Sequence, residues 1–204
     1  MAGQPQSIDF TLGRDGRVFF LTLASQDGMN RLTRHRVIAL DEEIRNMACG
    51  DAPVLPLIIA GDRNFSAGAD LNEIRQLSGP EAVEFARLGQ SLMWAIESFP
   101  APVIAAIEGH CMGGGLDLAL ACHRRIAAPH AVFGHRGAAL GLMTGWGGTQ
   151  RLPRLIGKGR ALELFVAAEK ITAGRARQIG LVNSVADVPV AEALRQLQQR
   201  GAGL

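Results

Sequence analysis

The sequence predicts an α/β fold in which most strands are parallel. Short apolar runs that suit buried strands alternate along the chain with segments in which apolar residues recur at helical spacing. Strands that are separated by helices usually pair in parallel. The chain has 204 residues and 48% of them are hydrophobic, so it can bury one sizeable core. We therefore expect one domain with a small helical appendage.

The expected elements follow a loose polar end at residues 1–7. Val18 to Leu23 is apolar and rich in residues that favour strands, and it follows the turn at Asp15. Thr33 is placed to cap a helix whose apolar stripe includes Val37 and Leu40. Further strands are expected at residues 57–60, 103–107, 125–127 and 181–185, further helices near residue 71 and at residues 81–98, 116–121, 160–168, 173–179 and 190–199, and a shaped glycine-rich loop at residues 134–148.

Composition argues against several functional classes. The formal net charge is +2 and tyrosine is absent, and no basic run is interleaved with aromatic residues, so no nucleic-acid partner is expected. No basic segment precedes an apolar one at the N-terminus, and no apolar run reaches the roughly 20 residues that span a bilayer. Cys49, Cys111 and Cys122 have neither paired nor metal-ligand spacing, which fits reduced thiols. We expect a cytoplasmic protein with no metal site and no membrane partner.

The most informative stretch covers residues 102–121. Val103 to Ile107 is an uninterrupted apolar run that suits a strand buried on both faces, and good helix formers occupy residues 116–121. Gly113, Gly114 and Gly115 separate them, and residues without Cβ allow a sharp turn and the close approach of a ligand to the main chain. Free N–H groups at a helix start attract an anion or a developing oxyanion. A tight turn without chemistry is the alternative interpretation.

A second turn of the same kind lies at residues 65–71, FSAGADL. It also follows a buried strand, contains small residues and leads into a helix. Two such turns from neighbouring strands would direct one amide each to a shared point, which is how an oxyanion hole for a thioester carbonyl is built. Taken singly, Asp70 is a helix cap or a partner of the helix dipole.

With these motifs the chain resembles the enoyl-CoA hydratase/isomerase (crotonase) superfamily. The matching segments are NFSAGADLNEI, PVIAAIEGHCMGGGLDLALACHRRIAA, AVFGH, GWGGTQRLPRLIGKGRALEL and ITAGRARQIGLVNSV, in the order and nearly at the spacing of the family. The resemblance implies a spiral of ββα units, with a crotonase-like core domain at residues 1–185 and a shortened C-terminal helical segment at residues 186–204. It also implies an acyl-CoA thioester substrate, no cofactor other than the coenzyme A of that substrate, and a homo-oligomer, either a trimer or a hexamer.

The resemblance assigns the binding of the thioester to particular main-chain groups. The two oxyanion-hole amides would be those of Ala69 and Gly114. Coenzyme A would be bound by a set of residues from two loops: Gly28, Met29, Ala67, Gly68, Asp70 and Leu71. Family members often have Lys or Arg near the first of these loops, whereas this chain has Asp27 there, so its contact with phosphate is in question.

The reacting side chains depart from the family pattern. Hydratases of this family use two glutamates for acid/base work, and the first position matches Asp117, whereas the second falls on Gly137. The acid that related isomerases use in a later turn falls on Gly145. His135 and Arg136 flank the position without a carboxylate, so one of them could replace the lost proton transfer or bind an anion there. His135 is the second catalytic candidate because imidazole suits proton transfer near neutral pH, whereas a solvated surface charge is the alternative for Arg136. A plain hydrogen bond for His135 and a helix-dipole role for Asp117 are the alternatives.

The expected function is therefore an acyl-CoA lyase of the enoyl-CoA hydratase type. Double-bond isomerisation, decarboxylation and thioester hydrolysis need fewer of the missing groups and stay open. A catalytically inactive acyl-CoA-binding protein is a further alternative. The sequence ends after one amphipathic helix, where relatives have several more, so we expect either a truncated form or a pocket lid from another subunit.

Overall fold

A computed structural model describes residues 10–49 and 53–201. The strands are β1 (Phe10–Asp15), β2 (Val18–Leu23), β3 (Leu57–Gly61), β4 (Val103–Ile107), β5 (His110–Met112), β6 (Arg124–Ala127), β7 (Val132–Gly134), β8 (Ile171–Thr172) and β9 (Ser184–Val185). The helices are α1 (Arg34–Ala48), α2 (Leu71–Ile74), α3 (Gly79–Glu97), α4 (Gly114–Ala121), α5 (Gly148–Ile156), α6 (Lys158–Ala167), α7 (Ala173–Gln178) and α8 (Pro189–Gly201), and Ala138–Leu140 forms a short 3-10 turn. The loose end expected at residues 1–7 lies outside the described residues.

The strands form two sheets. In the larger sheet the order is β1-β2-β3-β4-β6-β9; β1 is antiparallel to β2, and the other neighbours are parallel. The smaller sheet has the order β5-β7-β8. The prediction of an α/β fold with mainly parallel strands is confirmed. Because β3 and β4 are parallel neighbours, the two glycine-containing segments that follow them leave the sheet at the same edge.

Local sequence explains why the elements near this edge form. All five residues of β4 are buried, as a run of Val, Ile and Ala between two layers requires. Thr33 caps α1, since its side chain accepts a hydrogen bond from the Arg36 N–H (3.2 Å). At the start of α3, Ser78 and Glu81 form a capping box, which satisfies N–H groups that the helix itself leaves free.

Both faces of the larger sheet are covered. The main core lies on the face that packs against α1, α3 and α4. On the other face Ala193 and Leu197 of α8 pack against a row of sheet residues that includes Ile58, Ile104 and Ile126. The helix expected at residues 190–199 is therefore present, and it closes the second face of the sheet.

Some elements differ from the expectation. The strand expected at residues 181–185 is confined to Ser184–Val185, because the N–H groups of Leu181 and Val182 donate to Ala176 O and close the end of α7. Helix α5 and the short strands β1, β5, β7 and β8 were not expected. No helix in the described ranges is long and apolar enough to cross a membrane.

Candidate active site

A cavity of about 760 Å³ opens beside the two glycine-containing turns. Its walls come from the segments after β3 and β4, from α2 and α3, and from the loop between β7 and α5. Seven residues that the sequence singles out line it: Met29, Ala67, Ala69, Leu71, Gly114, Asp117 and His135.

The two turns are held against each other by main-chain hydrogen bonds. Ser66 N–H donates to His110 O (2.9 Å), and Met112 N–H donates to Ser66 O (2.9 Å). Gly68 lies at the contact with a φ of +94°, and a Cβ there would lie 2.6 Å from Met112 O and 2.9 Å from Gly114 N. Only glycine allows the turns to approach so closely.

The amides of Ala69 and Gly114 lie at this junction. Leu32 pairs with Ala69 as an isolated parallel bridge, through Leu32 N–H to Gly68 O (2.9 Å) and Asp70 N–H to Leu32 O (3.4 Å). In such a bridge the N–H of the central residue points away from the partner. The Ala69 nitrogen lies close to the second turn, 3.3 Å from the position of a Cβ on Gly114. Gly114 is the first residue of α4, where the helix supplies no acceptor for the N–H.

Asp117 and His135 form a buried pair in the same cavity. Asp117 is fully buried in the first turn of α4 and His135 is 4% exposed. Asp117 Oδ1 lies 3.3 Å from His135 Nε2, but the angle does not make a hydrogen bond, and both atoms lack a hydrogen-bond partner. Buried polar atoms are usually paired, so two adjacent unpaired atoms in a cavity lining suit a water molecule or a substrate. The other carboxylate oxygen accepts a hydrogen bond from the Thr144 hydroxyl.

Trp146 belongs to the hydrophobic core and also forms part of the cavity wall. Its side chain is 4% exposed and lines the cavity. A Cβ on Gly89 would lie 2.2 Å from the indole, and a Cβ on Gly114 would lie 2.4 Å from it. The indole also stacks edge-on with Phe85 at 5.3 Å. Two glycines therefore make room for Trp146 beside the amide of Gly114.

The position without the second carboxylate is not an open gap. A Cβ on Gly137 would lie 2.6 Å from Leu142 O, and the N–H groups of Leu140 and Leu142 both donate to Gly137 O at 2.8 Å. The loop backbone thus occupies the direction in which a side chain at position 137 would extend.

The residues expected to bind coenzyme A divide into two groups. Met29, Ala67 and Leu71 line the cavity. Gly28, Gly68 and Asp70 have structural contacts: Gly28 O accepts from Asn64 Nδ2 (2.8 Å), Gly68 O pairs with Leu32, and Asp70 caps α2. Their part in binding coenzyme A stays a prediction.

Asp27 stands where members of the family often have Lys or Arg, and its side chain is bonded to its neighbours. Its carboxylate accepts hydrogen bonds from Arg31, Met29 N–H and Ser25, which lower the pKa of Asp27 to about 2. The side chain of Arg63 packs over Gly28, 2.8 Å from the position of a Cβ there. Two arginines therefore lie at this edge although residue 27 itself is acidic.

Sequence reasoning missed Thr144 and much of the cavity wall. Thr144 stands beside Gly145, in the turn where related isomerases have an acid, but nothing local marks its hydroxyl as a partner of Asp117. The remaining lining is largely apolar, and includes Ile74, Leu77, Phe85, Leu140, Leu142, Met143 and Phe165, with Arg136 and Lys170 as cations. In the described part of the chain no group of three His, Cys, Asp or Glu side chains is arranged to hold a metal ion.

Comparisons with known proteins agree on one family. A family model described as enoyl-CoA hydratase/isomerase matches residues 17–202. The chain is 41% identical over 177 residues to a crotonyl-CoA hydratase of Syntrophomonas wolfei, covering 85% of this chain and 67% of that protein. It is 38% identical over 178 residues to a short-chain-enoyl-CoA hydratase of Clostridium acetobutylicum, covering 86% and 68%.

Solved structures agree in fold. An enoyl-CoA hydratase from Bacillus anthracis is similar with a TM-score of 0.88 and 32% identity, over 94% of this chain and 76% of that one. DspI of Pseudomonas aeruginosa is similar with a TM-score of 0.89 and 34% identity, over 97% and 76%. The expected crotonase-like fold is therefore confirmed.

Proposed function

This chain belongs to the enoyl-CoA hydratase/isomerase family, and we propose that it adds water to a 2-enoyl-CoA thioester. The observation that supports this most is the meeting, in one cavity, of the Ala69 and Gly114 amides with the buried pair Asp117 and His135. The first two groups stabilise negative charge on a carbonyl oxygen, and the second two exchange protons. Hydration of a conjugated thioester needs both.

In the proposed reaction the Ala69 and Gly114 N–H groups donate to the thioester oxygen. The oxygen of water forms a bond to Cβ while the C=C electrons move to make the enolate, whose charge these amides stabilise. Asp117 and His135 take one proton from the water and return one to Cα, so that the pair ends in its starting protonation state. Met29, Ala67 and Leu71, together with Gly28, Gly68 and Asp70, are the proposed contacts of coenzyme A. The reaction needs no cofactor other than this coenzyme A, because it moves only protons and water.

The test follows the absorbance of the enoyl thioester band after crotonyl-CoA is added. We expect the wild-type chain to lower this absorbance and Asp117→Asn to lower kcat by at least about 10²-fold. Asp15→Asn is the matched control, because Asp15 is an exposed carboxylate at the end of β1, outside the cavity. An unchanged rate in Asp117→Asn would remove Asp117 from the mechanism. Acyl-CoA binding without turnover across a thioester panel would instead support the inactive binding protein.

Isomerisation of a 3-enoyl-CoA is the second candidate. It is favoured by one observation, the filled space at Gly137, which leaves one carboxylate at the family positions. A single base suffices to move a proton from Cα to Cγ. A higher kcat/KM for 3-enoyl-CoA than for crotonyl-CoA would favour isomerisation over hydration.

We also propose a cytoplasmic location and a homo-oligomer. Cys49, Cys111 and Cys122 are free thiols, as is usual in a reducing compartment. On α6, Leu162 and Val166 are 62% and 69% exposed, and apolar side chains on one helix suit a subunit contact. Light scattering of the purified chain tests the assembly, where a trimer or hexamer is expected and a monomer would contradict it.

A further inference from the structure

The carboxylate of Asp117 has two oxygens with different surroundings. Oδ2 accepts a hydrogen bond from the hydroxyl of Thr144. Oδ1 has no hydrogen-bond partner and lies 3.3 Å from His135 Nε2. Oδ1 is therefore the carboxylate oxygen that is left without a partner, and it lies beside His135.

An aspartate carboxylate does not hold one orientation without a partner. The torsion that turns it joins an sp³ to an sp² carbon and has a broad, nearly two-fold energy profile. A hydroxyl that donates to a charged oxygen makes a short and strong hydrogen bond. The Thr144 hydroxyl thus determines which oxygen is engaged and which one stays available.

Thr144 is a suitable fixed point because its loop is anchored to α3 on the far side. Gln90 Nε2 donates to Gly145 O (2.7 Å), and Trp146 Nε1 donates to Phe85 O (3.3 Å). These bonds fix the two residues that follow Thr144. The hydroxyl is consequently presented to Asp117 from a loop with little freedom.

We propose that Thr144 is a positioning residue for Asp117, which orients the carboxylate so that Oδ1 faces His135 and the reacting water. This inference rests on the proposed function, in which Asp117 exchanges protons. Thr144 itself touches no reacting atom. It acts by removing carboxylate orientations in which Oδ1 is turned away.

The experiment compares Thr144→Val, which keeps the shape and loses the hydroxyl, with Thr144→Ser, which keeps the hydroxyl. With crotonyl-CoA we expect Thr144→Val to lower kcat about tenfold or more with KM within about twofold, because the lost interaction serves the chemical step. Thr144→Ser should retain kcat within about threefold. Thr11→Val, in the exposed strand β1, is the matched control and should leave both constants unchanged. Wild-type kcat in Thr144→Val, or an equal loss in Thr144→Ser, would overturn the proposal.

Two further measurements separate this proposal from the proposed function. Asp117→Asn is assayed beside the Thr144 variants: an active Asp117→Asn refutes the proposed function, whereas an inactive Asp117→Asn with a fully active Thr144→Val refutes only the role of Thr144. Urea unfolding gives a readout that needs no turnover. Thr144→Val should lower the urea midpoint of the wild-type chain by more than it lowers the midpoint of Asp117→Ala, because the partner of the hydroxyl is absent from Asp117→Ala. Equal shifts in the two backgrounds would refute the contact.

Discussion

Around Asp117 the packing is tight enough that a single methyl group matters. Gly148, the first residue of α5, faces the carboxylate: a Cβ there would lie 2.1 Å from Asp117 Oδ1 and 3.0 Å from His135 Nε2. The arrangement of Asp117 and His135 thus depends on a residue that has no side chain. Close approach to a functional group is one reason for glycine at a helix start.

We predict that Gly148→Ala lowers kcat by about 10²-fold, because the new methyl group displaces the Asp117 carboxylate from its position beside His135. Gly159→Ala is the control, since no atom lies within 4 Å of a Cβ there; it should leave kcat unchanged and raise the free energy of unfolding by up to about 1 kcal/mol. Steady-state kinetics and urea unfolding check both variants. Wild-type kcat in Gly148→Ala would show that the pair tolerates displacement.

Residues within one motif were predictable, and contacts between distant segments were not. Ala69, Gly114 and Asp117 lie inside the short motifs that carry the resemblance to the family, and all three line one cavity. His135 was found because it flanks the position that lacks a carboxylate. The Thr144 hydroxyl contacts Asp117 across 27 positions of sequence, and no local pattern reports such a contact.

Among the elements, α3 and the loop before α5 pack most tightly at Gly89 and Trp146. Gly89 in α3 lies directly under the Trp146 indole, where a Cβ would be 2.2 Å from Cδ1 and from Nε1. The glycine costs helix stability but allows the indole to reach the cavity wall.

We predict that Gly89→Ala lowers the free energy of unfolding by ~1–3 kcal/mol, as overpacking of a core does. In a Trp146→Leu background the same change should cost less, because the smaller side chain leaves room. Gly174→Ala in α7, where only Thr172 Oγ1 lies near, at 3.9 Å, is the control. Urea unfolding measures the free energies of wild type, the two single variants, the double variant and the control, and equal costs of Gly89→Ala in the two backgrounds would contradict the contact.

The elements that the sequence predicted best are those long enough to show a periodic pattern of apolar residues. The apolar run of β4 and the regular stripe of α1 were recognisable because each is long enough to show its pattern. Strands β5, β7 and β8 have three residues or fewer, too few to show alternation. Helix α5 begins with glycine and contains Pro153, both of which oppose a helix locally, so tertiary packing decides its conformation.

The stability of the whole molecule depends on the packing of α8 against the larger sheet. Ala193 is fully buried against the face that includes Ile58 and Ile104. We predict that Ala193→Asp lowers the free energy of unfolding by about 3 kcal/mol or more, because it buries a charge without a partner. Ala191→Asp, exposed in the first turn of the same helix, should be neutral or slightly stabilising. A small effect of Ala193→Asp in urea unfolding would mean that α8 separates easily from the sheet.

Alkaline pH should destabilise the molecule through its buried thiols. Burial raises the pKa of Cys122 to about 12 from an ordinary 9.0, and that of Cys111 well above 9.0. Between pH 9 and 12 the unfolded chain has lost these protons and the folded chain has kept them, so stability falls as pH rises through this window. No tyrosine is present to add its own titration.

We expect the free energy of unfolding to fall by about 2 kcal/mol between pH 9 and 11 through Cys122 alone, and further through Cys111, as measured by urea unfolding. Cys122→Ala should fall less over the same interval. Cys49→Ala, at an exposed thiol, should follow wild type. Identical slopes for Cys122→Ala and wild type would contradict the assignment to burial.

The carbonyl of Leu142 behind Gly137 also decides what a single substitution at this position can achieve. A Cβ at position 137 would lie 2.6 Å from this carbonyl oxygen, so a glutamate introduced there alone would displace the loop before it could serve as a second acid. A redesign that aims at a two-carboxylate site therefore has to open the loop at Leu142 as well as replace the glycine.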